Sequence, residues 1–153
     1  MGKSTTDRLD EVLASSRPED LAQYLAEQEE ALVPEGKAFT SYMRGKFSEK
    51  NLSQRDIFLS ADIPQRFGYK LISGEKHTLQ RDLILRICLA AHFTIGEVQD
   101  ALRLYGMAPL YSRNRRDAAV IIAFNSGMED PAKLNALLTE NGMEPLWKCG
   151  EQD

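Results

Sequence analysis

Cysteine and histidine are scarce, with Cys88, Cys149, His77 and His92 the only ones in the chain. Two thiols are too few for a disulfide framework, so reduced cysteines in a reducing compartment are the simpler expectation. Cys88 and His92 stand four apart on an expected helix, but Cys149 and His77 lie at no ligand-type spacing from them. That ligand count argues against a metal, and no cofactor is implied. No apolar run approaches the ~18 residues of a membrane span, and Met1-Gly2-Lys3-Ser4-Thr5-Thr6 lacks the apolar stretch of a secretory signal. The expectation is a cytoplasmic protein with no membrane partner. Gly2 with Thr6 fits a loose myristoylation pattern that nothing else supports, and Gly2-Lys3-Ser4 lacks the upstream Gly and strand of a phosphate loop. No Ser-His-Asp set or carboxylate pair stands out from the acidic runs, so an enzyme is not expected.

What is present is a chain of 153 residues, 42% apolar and 27% charged, enough for one sizeable core. Its net charge of −4 hides an uneven distribution. Residues 1–36 carry three basic residues against nine acidic, and residues 117–153 carry two against seven. Residues 37–116 hold 14 Lys and Arg against 7 Asp and Glu, a local surplus of +7. Only groups within about a Debye length (~8–10 Å) attract a phosphate backbone strongly, so the basic middle matters more than the average.

Punctuation divides the chain into helices, and no convincing period-two strand appears, which predicts an all-α fold. Leu9, Val12 and Leu13 make a short apolar stripe ending near Ser15. Ser16 with Glu19 reads as a capping box opening a second helix, with Pro18 in its first turn and an end near Leu32. Val33-Pro34-Glu35-Gly36 reads as a linker. Next, Phe39, Tyr42, Met43 and Phe47 predict a helix from Ala38 to about Lys50. Ser53 caps another through Ala61, Asp62-Ile63 makes a corner, and Pro64 opens a third that Gly74 ends at Ser73. Leu79, Leu83, Ile84, Ile87, Cys88 and Ala91 mark a longer helix. Thr94 with Glu97 caps the next, which Gly106 stops.

An internal repeat covers almost everything after Gln80. Arg81-Asp82 with Leu83, Leu85 and Ile87 corresponds, 35 residues later, to Arg116-Asp117 with Ala118, Val120 and Ile122. With one residue added near Pro131, Val98, Leu102, Gly106-Met107, Pro109-Leu110 and Tyr111 match Leu134, Leu138, Gly142-Met143, Pro145-Leu146 and Trp147. Each unit is a helix hairpin closed by Gly-Met-x-Pro-Leu-aromatic: Gly ends the helix, Pro prevents its resumption and the Leu-aromatic pair folds back as an apolar plug. Two units are too few for a solenoid and extend a core instead.

The spacing Leu52-Ser53-Gln54 … Ile57 … Ile63 … Leu71 … Gly74 resembles the lambda-repressor-like helix-turn-helix family, also called the xenobiotic-response-element family, over about Lys37 to Leu104. The resemblance implies a five-helix DNA-binding domain in which Gln54 is a positioning contact and Gln65, Arg66 and Lys70 read base edges. Tyr69, Ser73, Lys76 and His77 would approach the DNA backbone. Chemistry agrees with this independently, since Gln offers the donor and acceptor pair suited to adenine and Arg the fork suited to guanine. Residues 66, 69, 70 and 73 share one helical face. Three positions depart from the family pattern: Phe58 replaces a small residue, Ala61-Asp62 replace a Leu-Gly corner, and Gly68 replaces a branched apolar residue. Gly inside a helix costs about 0.5–1 kcal/mol relative to Ala, so the expectation is either a softened, shifted or repurposed reading helix or Phe67 in the vacated apolar site.

The resulting expectation is an acidic helical arm (1–36), a helix-turn-helix domain (37–106) and a C-terminal helical-hairpin extension (107–153). The function expected is sequence-specific transcriptional regulation on double-stranded DNA, with a homodimer suiting paired half-sites. Arg113-Asn114-Arg115-Arg116 is a surface loop or an auxiliary phosphate contact. The rival is a protein-interaction adaptor or antagonist built on a degenerate helix-turn-helix, whose acidic arm engages a basic partner.

Overall fold

The computed structural model describes residues 4–32 and 37–149, which form helices and no strand. In order these are α1 (Thr5–Ser15), α2 (Leu21–Glu27), α3 (Ala38–Glu49), α4 (Gln54–Ala61), α5 (Gln65–Ser73), α6 (Arg81–Ala90), α7 (Ile95–Tyr105), α8 (Arg115–Asn125) and α9 (Pro131–Glu140). The fold is therefore all-α. None of these helices is long and apolar enough to cross a membrane. The chain separates into two compact units, one through residue 35 and one from residue 36 onward. The expected linker Val33-Pro34-Glu35-Gly36 and the Gly2-Lys3 start lie outside the described residues.

In the first unit Ser4 caps α1, its hydroxyl accepting from the Asp7 N–H at 3.1 Å. The expected Ser16–Glu19 capping box does not form. Ser16 instead donates its hydroxyl back to the Val12 carbonyl at 2.7 Å, and the Asp20 carboxylate accepts from the Arg17 N–H at 2.8 Å. Pro18 then opens a 3-10 turn, Pro18–Asp20, ahead of α2. α2 also stops at Glu27, short of the expected Leu32, and buries only Tyr24.

The second unit is built around α6, which is buried along its whole length from Leu83 to Ala90. α4, α7 and α9 pack on α6, α3 packs on α5 and α7, and α8 packs on α7 and α9. One core cluster runs from Phe39 to Leu146, so the second hairpin continues the core rather than adding another. Local signals set the helix limits. The Ser53 hydroxyl accepts from the Asp56 N–H at 3.2 Å. Thr94 and Glu97 exchange hydrogen bonds of 3.2 and 2.9 Å, the reciprocal cap expected there. Gly74 and Gly106 end α5 and α7 in the left-handed region, at φ of 87° and 83°. Leu79 departs from expectation: it precedes α6 and is 90% exposed. The Thr78 N–H donates to the Tyr105 hydroxyl at 2.8 Å and the Thr78 hydroxyl accepts from the Gln80 N–H at 3.0 Å. That turn faces Leu79 outward.

The repeat folds as two hairpins, α6–α7 and α8–α9, that exchange partners. Arg81 of the first pairs with Asp117 of the second, while Arg116 of the second grips Asp82 of the first through two hydrogen bonds of 3.0 and 2.9 Å. The expected Leu-aromatic plug forms only in part: Leu110 and Leu146 are buried, but Tyr111 and Trp147 are exposed. Each Arg also holds this plug segment of its own hairpin, Arg81 through the Ala108 and Pro109 carbonyls and Arg116 through those of Glu144 and Pro145. Each Asp accepts from the plug of the other, Asp117 from Tyr111 N–H at 3.0 Å and Asp82 from Trp147 N–H at 2.8 Å. The symmetry breaks where the surroundings differ. Ile87 is buried, whereas its repeat mate Ile122 is 62% exposed: α4 covers α6, and among the described residues of this unit no further helix plays that part for α8. The added residue is Glu129: the turn residues His92 and Gly127 correspond at 35, the caps Thr94 and Asp130 at 36. Glu129 faces His92 at 3.5 Å.

Burial raises the Asp82 carboxyl, but the Arg116 guanidinium and the Trp147 N–H outweigh it and hold the group below the usual carboxylate range. A depressed carboxylate pKa contributes stability that is present above about pH 4 and is lost as pH falls through the folded-state value. Asp82→Asn is therefore expected to lower the urea midpoint at neutral pH, by an amount equivalent to about 1.5–3 kcal/mol for a hydrogen-bonded charge. The gap to the parent should narrow steadily in midpoints measured from about pH 5 down to about pH 2.

Candidate functional site

α5 has one face locked and one face free. Leu71 and Ile72 are fully buried. The carbonyls at its C-terminal end, which have no partner within the helix, are met by the start of α3: Thr40 donates its hydroxyl to Ile72 O at 2.6 Å and Lys37 its ammonium to Ser73 O at 3.3 Å. A cation there also complements the negative end of the helix. The entry is equally fixed. Asp62 takes the left-handed conformation (φ 57°) between α4 and α5, a conformation that Asp tolerates better than most side chains. Its carboxylate meets Lys148 at 3.1 Å, and Ile63 is buried beneath the corner.

Two of the departures in this segment explain each other. A Cβ at Gly68 would lie 2.6 Å from the Phe58 ring, which is itself fully buried. Phe58, not Phe67, occupies the space that a side chain at position 68 would otherwise fill. Phe67 is half-buried instead, with the Lys76 ammonium 5.7 Å from its ring centre. Gly68 is thus a packing partner of Phe58 and not a soft point in the helix.

The free face carries most of the expected residues. Gln65 and Arg66 are exposed in the first turn, and Arg66 forms no ion pair with a described residue. Tyr69 is 43% exposed and stands edge-on to the Phe58 ring at 5.2 Å. Lys70 is half-buried, its ammonium 4.0 Å from Glu75. Gln54 opens α4 and is half-buried. Ser73 is occupied locally, donating to the Lys70 carbonyl and accepting from the Glu75 N–H, both at 3.2 Å. Lys76 and His77 are exposed beyond the helix, and the His77 ring stacks on Tyr105 at 4.5 Å. Sequence reasoning missed Lys37, because nothing local ties a residue at the start of α3 to the end of α5.

The basic surplus also divides. Lys46 and Lys50 pair with Glu97, Arg81 with Asp117, Arg103 with Asp100 and Arg116 with Asp82, and Arg86 is buried. Lys37, Arg44, Arg55, Arg66, Lys76, Arg113 and Arg115 have no acidic partner among the described residues. Cys88 is fully enclosed, and burial pushes its thiol far above the usual range. Among the described residues no three His, Cys, Asp or Glu side chains group as metal ligands.

No protein-family model, curated protein or solved structure matches the chain. The site therefore rests on its own geometry.

Proposed function

We propose that the chain is a sequence-specific DNA-binding transcriptional regulator, with α4 and α5 as a helix-turn-helix inside a lambda-repressor-like arrangement of α3 to α7. The observation that carries this reading is the pair Gln65 and Arg66, free at the start of a helix whose opposite face is fixed in the core. A helix end of this kind fits a major groove, where the Gln amide can pair with adenine and the Arg fork with guanine, each good pairing giving about 1–3 kcal/mol of discrimination. Lys70 would read alongside them once released from Glu75. Gln54, Tyr69, Lys76 and His77 would set register on the phosphates, contacts that position without specifying sequence. Lys37 joins that set by its place beside Ser73. A homodimer would place two such helices roughly one DNA turn apart.

The full chain is expected to bind duplex DNA with a steep inverse dependence on salt. Arg66→Ala with Lys70→Ala should weaken that binding tenfold or more in fluorescence anisotropy, on the scale of one lost base pairing and one lost charge. Duplex binding that ignores both substitutions would defeat the reading.

One observation favours a protein partner for the arm in addition. Val12, Leu13, Leu21 and Leu25 are exposed on the first unit, among its many acids. The acidic ends of the chain favour it as well, whereas Gly68, which would also suit a degenerate reading helix, is accounted for by the packing of Phe58 against it.

A further inference from the structure

The cluster Arg113-Asn114-Arg115-Arg116 separates into one structural and two free cations. Arg116 turns inward to Asp82 and to the Glu144 and Pro145 carbonyls. Arg113 and Arg115 are exposed and meet no acid among the described residues. The turn that carries them is held in place. The Asn114 N–H donates to Tyr111 O at 3.0 Å, the Asn114 side chain accepts from Asp117 N–H at 2.9 Å, and Tyr111 N–H donates to Asp117. Tyr111 is 57% exposed beside them.

This turn shares a scaffold with the segment that follows α5. His77 stacks on Tyr105, and the Tyr105 hydroxyl accepts from Thr78 N–H. Arg81 then donates to Ala108 and Pro109 and pairs with the same Asp117 that anchors the turn. A fixed turn bearing unpaired guanidinium forks suits phosphate oxygens, which they can grip through two parallel hydrogen bonds. We propose that the turn from Tyr111 to Arg115 is a second phosphate-binding surface, extending the duplex footprint of α5 beyond Lys76 and His77, with Arg113 and Arg115 each neutralising one backbone phosphate. This rests on the DNA-binding reading of α5.

The test uses the full chain and a labelled mixed-sequence duplex of about 30 base pairs, with affinity measured across a salt series. Arg113→Ala with Arg115→Ala should make the slope of log affinity against log salt shallower by about 1.8, or 0.9 per phosphate, and weaken binding roughly tenfold or more near 0.15 M salt. The melting temperature should not fall, since both side chains are exposed and neither pairs with an acid among the described residues. Arg113→Lys with Arg115→Lys should keep most of the slope, because slope counts charge. An unchanged slope in the alanine pair, with binding still lost in Arg66→Ala/Lys70→Ala, would overturn the second surface and leave the α5 reading standing. A lysine pair as weak as the alanine pair would overturn phosphate neutralisation as its role. Binding indifferent to both alanine pairs would overturn the two readings together.

Discussion

Phe58→Ala is expected to cost about 3–5 kcal/mol of folding free energy, the range for removing a large aromatic from a core that cannot collapse around the gap. The gap should be severe here because the ring fills two places: its own on α4 and the one left vacant by Gly68 on α5. Gly68→Ala alone should also destabilise. The helix gains about 0.5–1 kcal/mol from losing a glycine, but the new Cβ must displace a fully buried ring, and overpacking of that kind costs about 1–3 kcal/mol. The informative variant is the pair. Phe58→Ala with Gly68→Leu restores a side chain to α5 where the ring stood, so the double variant should be more stable than the sum of single effects by about 0.5–3 kcal/mol. Urea unfolding of the parent, Phe58→Ala, Gly68→Leu and the double variant completes the cycle, and strict additivity would mean that the two positions are not one packing unit. Tyr69 rests edge-on against the same ring, so loss of Phe58 should also loosen the exposed face of α5 and weaken any ligand held there.

The Phe58–Gly68 pair marks where the sequence stops being readable. Each residue alone looks like a fault in the α4–α5 pattern, and only their meeting across ten positions makes both reasonable. The helix ends were legible because a cap is a local event: Ser53, Thr94 with Glu97, Gly74 and Gly106 act within one turn of themselves. The capping box at Ser16 failed on equally local grounds, since the hydroxyl had a carbonyl one turn back within reach. Leu79 was misplaced because apolar periodicity ran smoothly past it, while a side chain far along the chain, Tyr105, decided where α6 could begin. The repeat was visible from spacing, but its exchange of Arg and Asp partners was not. Spacing says that Arg81 and Arg116 are equivalent; it does not say that each takes the other hairpin's aspartate. For the candidate site, residue types and the free face of α5 were legible, whereas the engagement of Lys70 by Glu75 and of Ser73 by its own turn depended on packing at the helix end.

Arg86→Met should be the other large loss, about 3–5 kcal/mol, the scale seen when one partner of a buried charged hydrogen-bond set is removed. Arg86 is buried in α6, and burial lowers its guanidinium from the usual value. It pairs with no carboxylate among the described residues. Its donors go to three backbone carbonyls instead: Ala61 at 3.2 Å, Leu146 at 2.9 Å and Trp147 at 2.8 Å. Replacing a buried ion pair by apolar residues can be harmless when both partners are exchanged, but a backbone carbonyl cannot be exchanged, so methionine leaves acceptors stranded at about 1–3 kcal/mol each. The connectivity matters as much as the energy. Ala61 closes α4 at the corner before α5, and Leu146-Trp147 is the plug of the last hairpin, so one side chain ties the C-terminal segment to the candidate site. Lys148 repeats the link from outside by meeting Asp62. Trp147 is the only tryptophan in the chain, which makes its emission a direct report on this strap. In Arg86→Met the emission should shift to the red under native conditions and the urea midpoint should fall. A midpoint equal to that of the parent, with unshifted emission, would show that the carbonyls find other donors and that the corner does not depend on the strap.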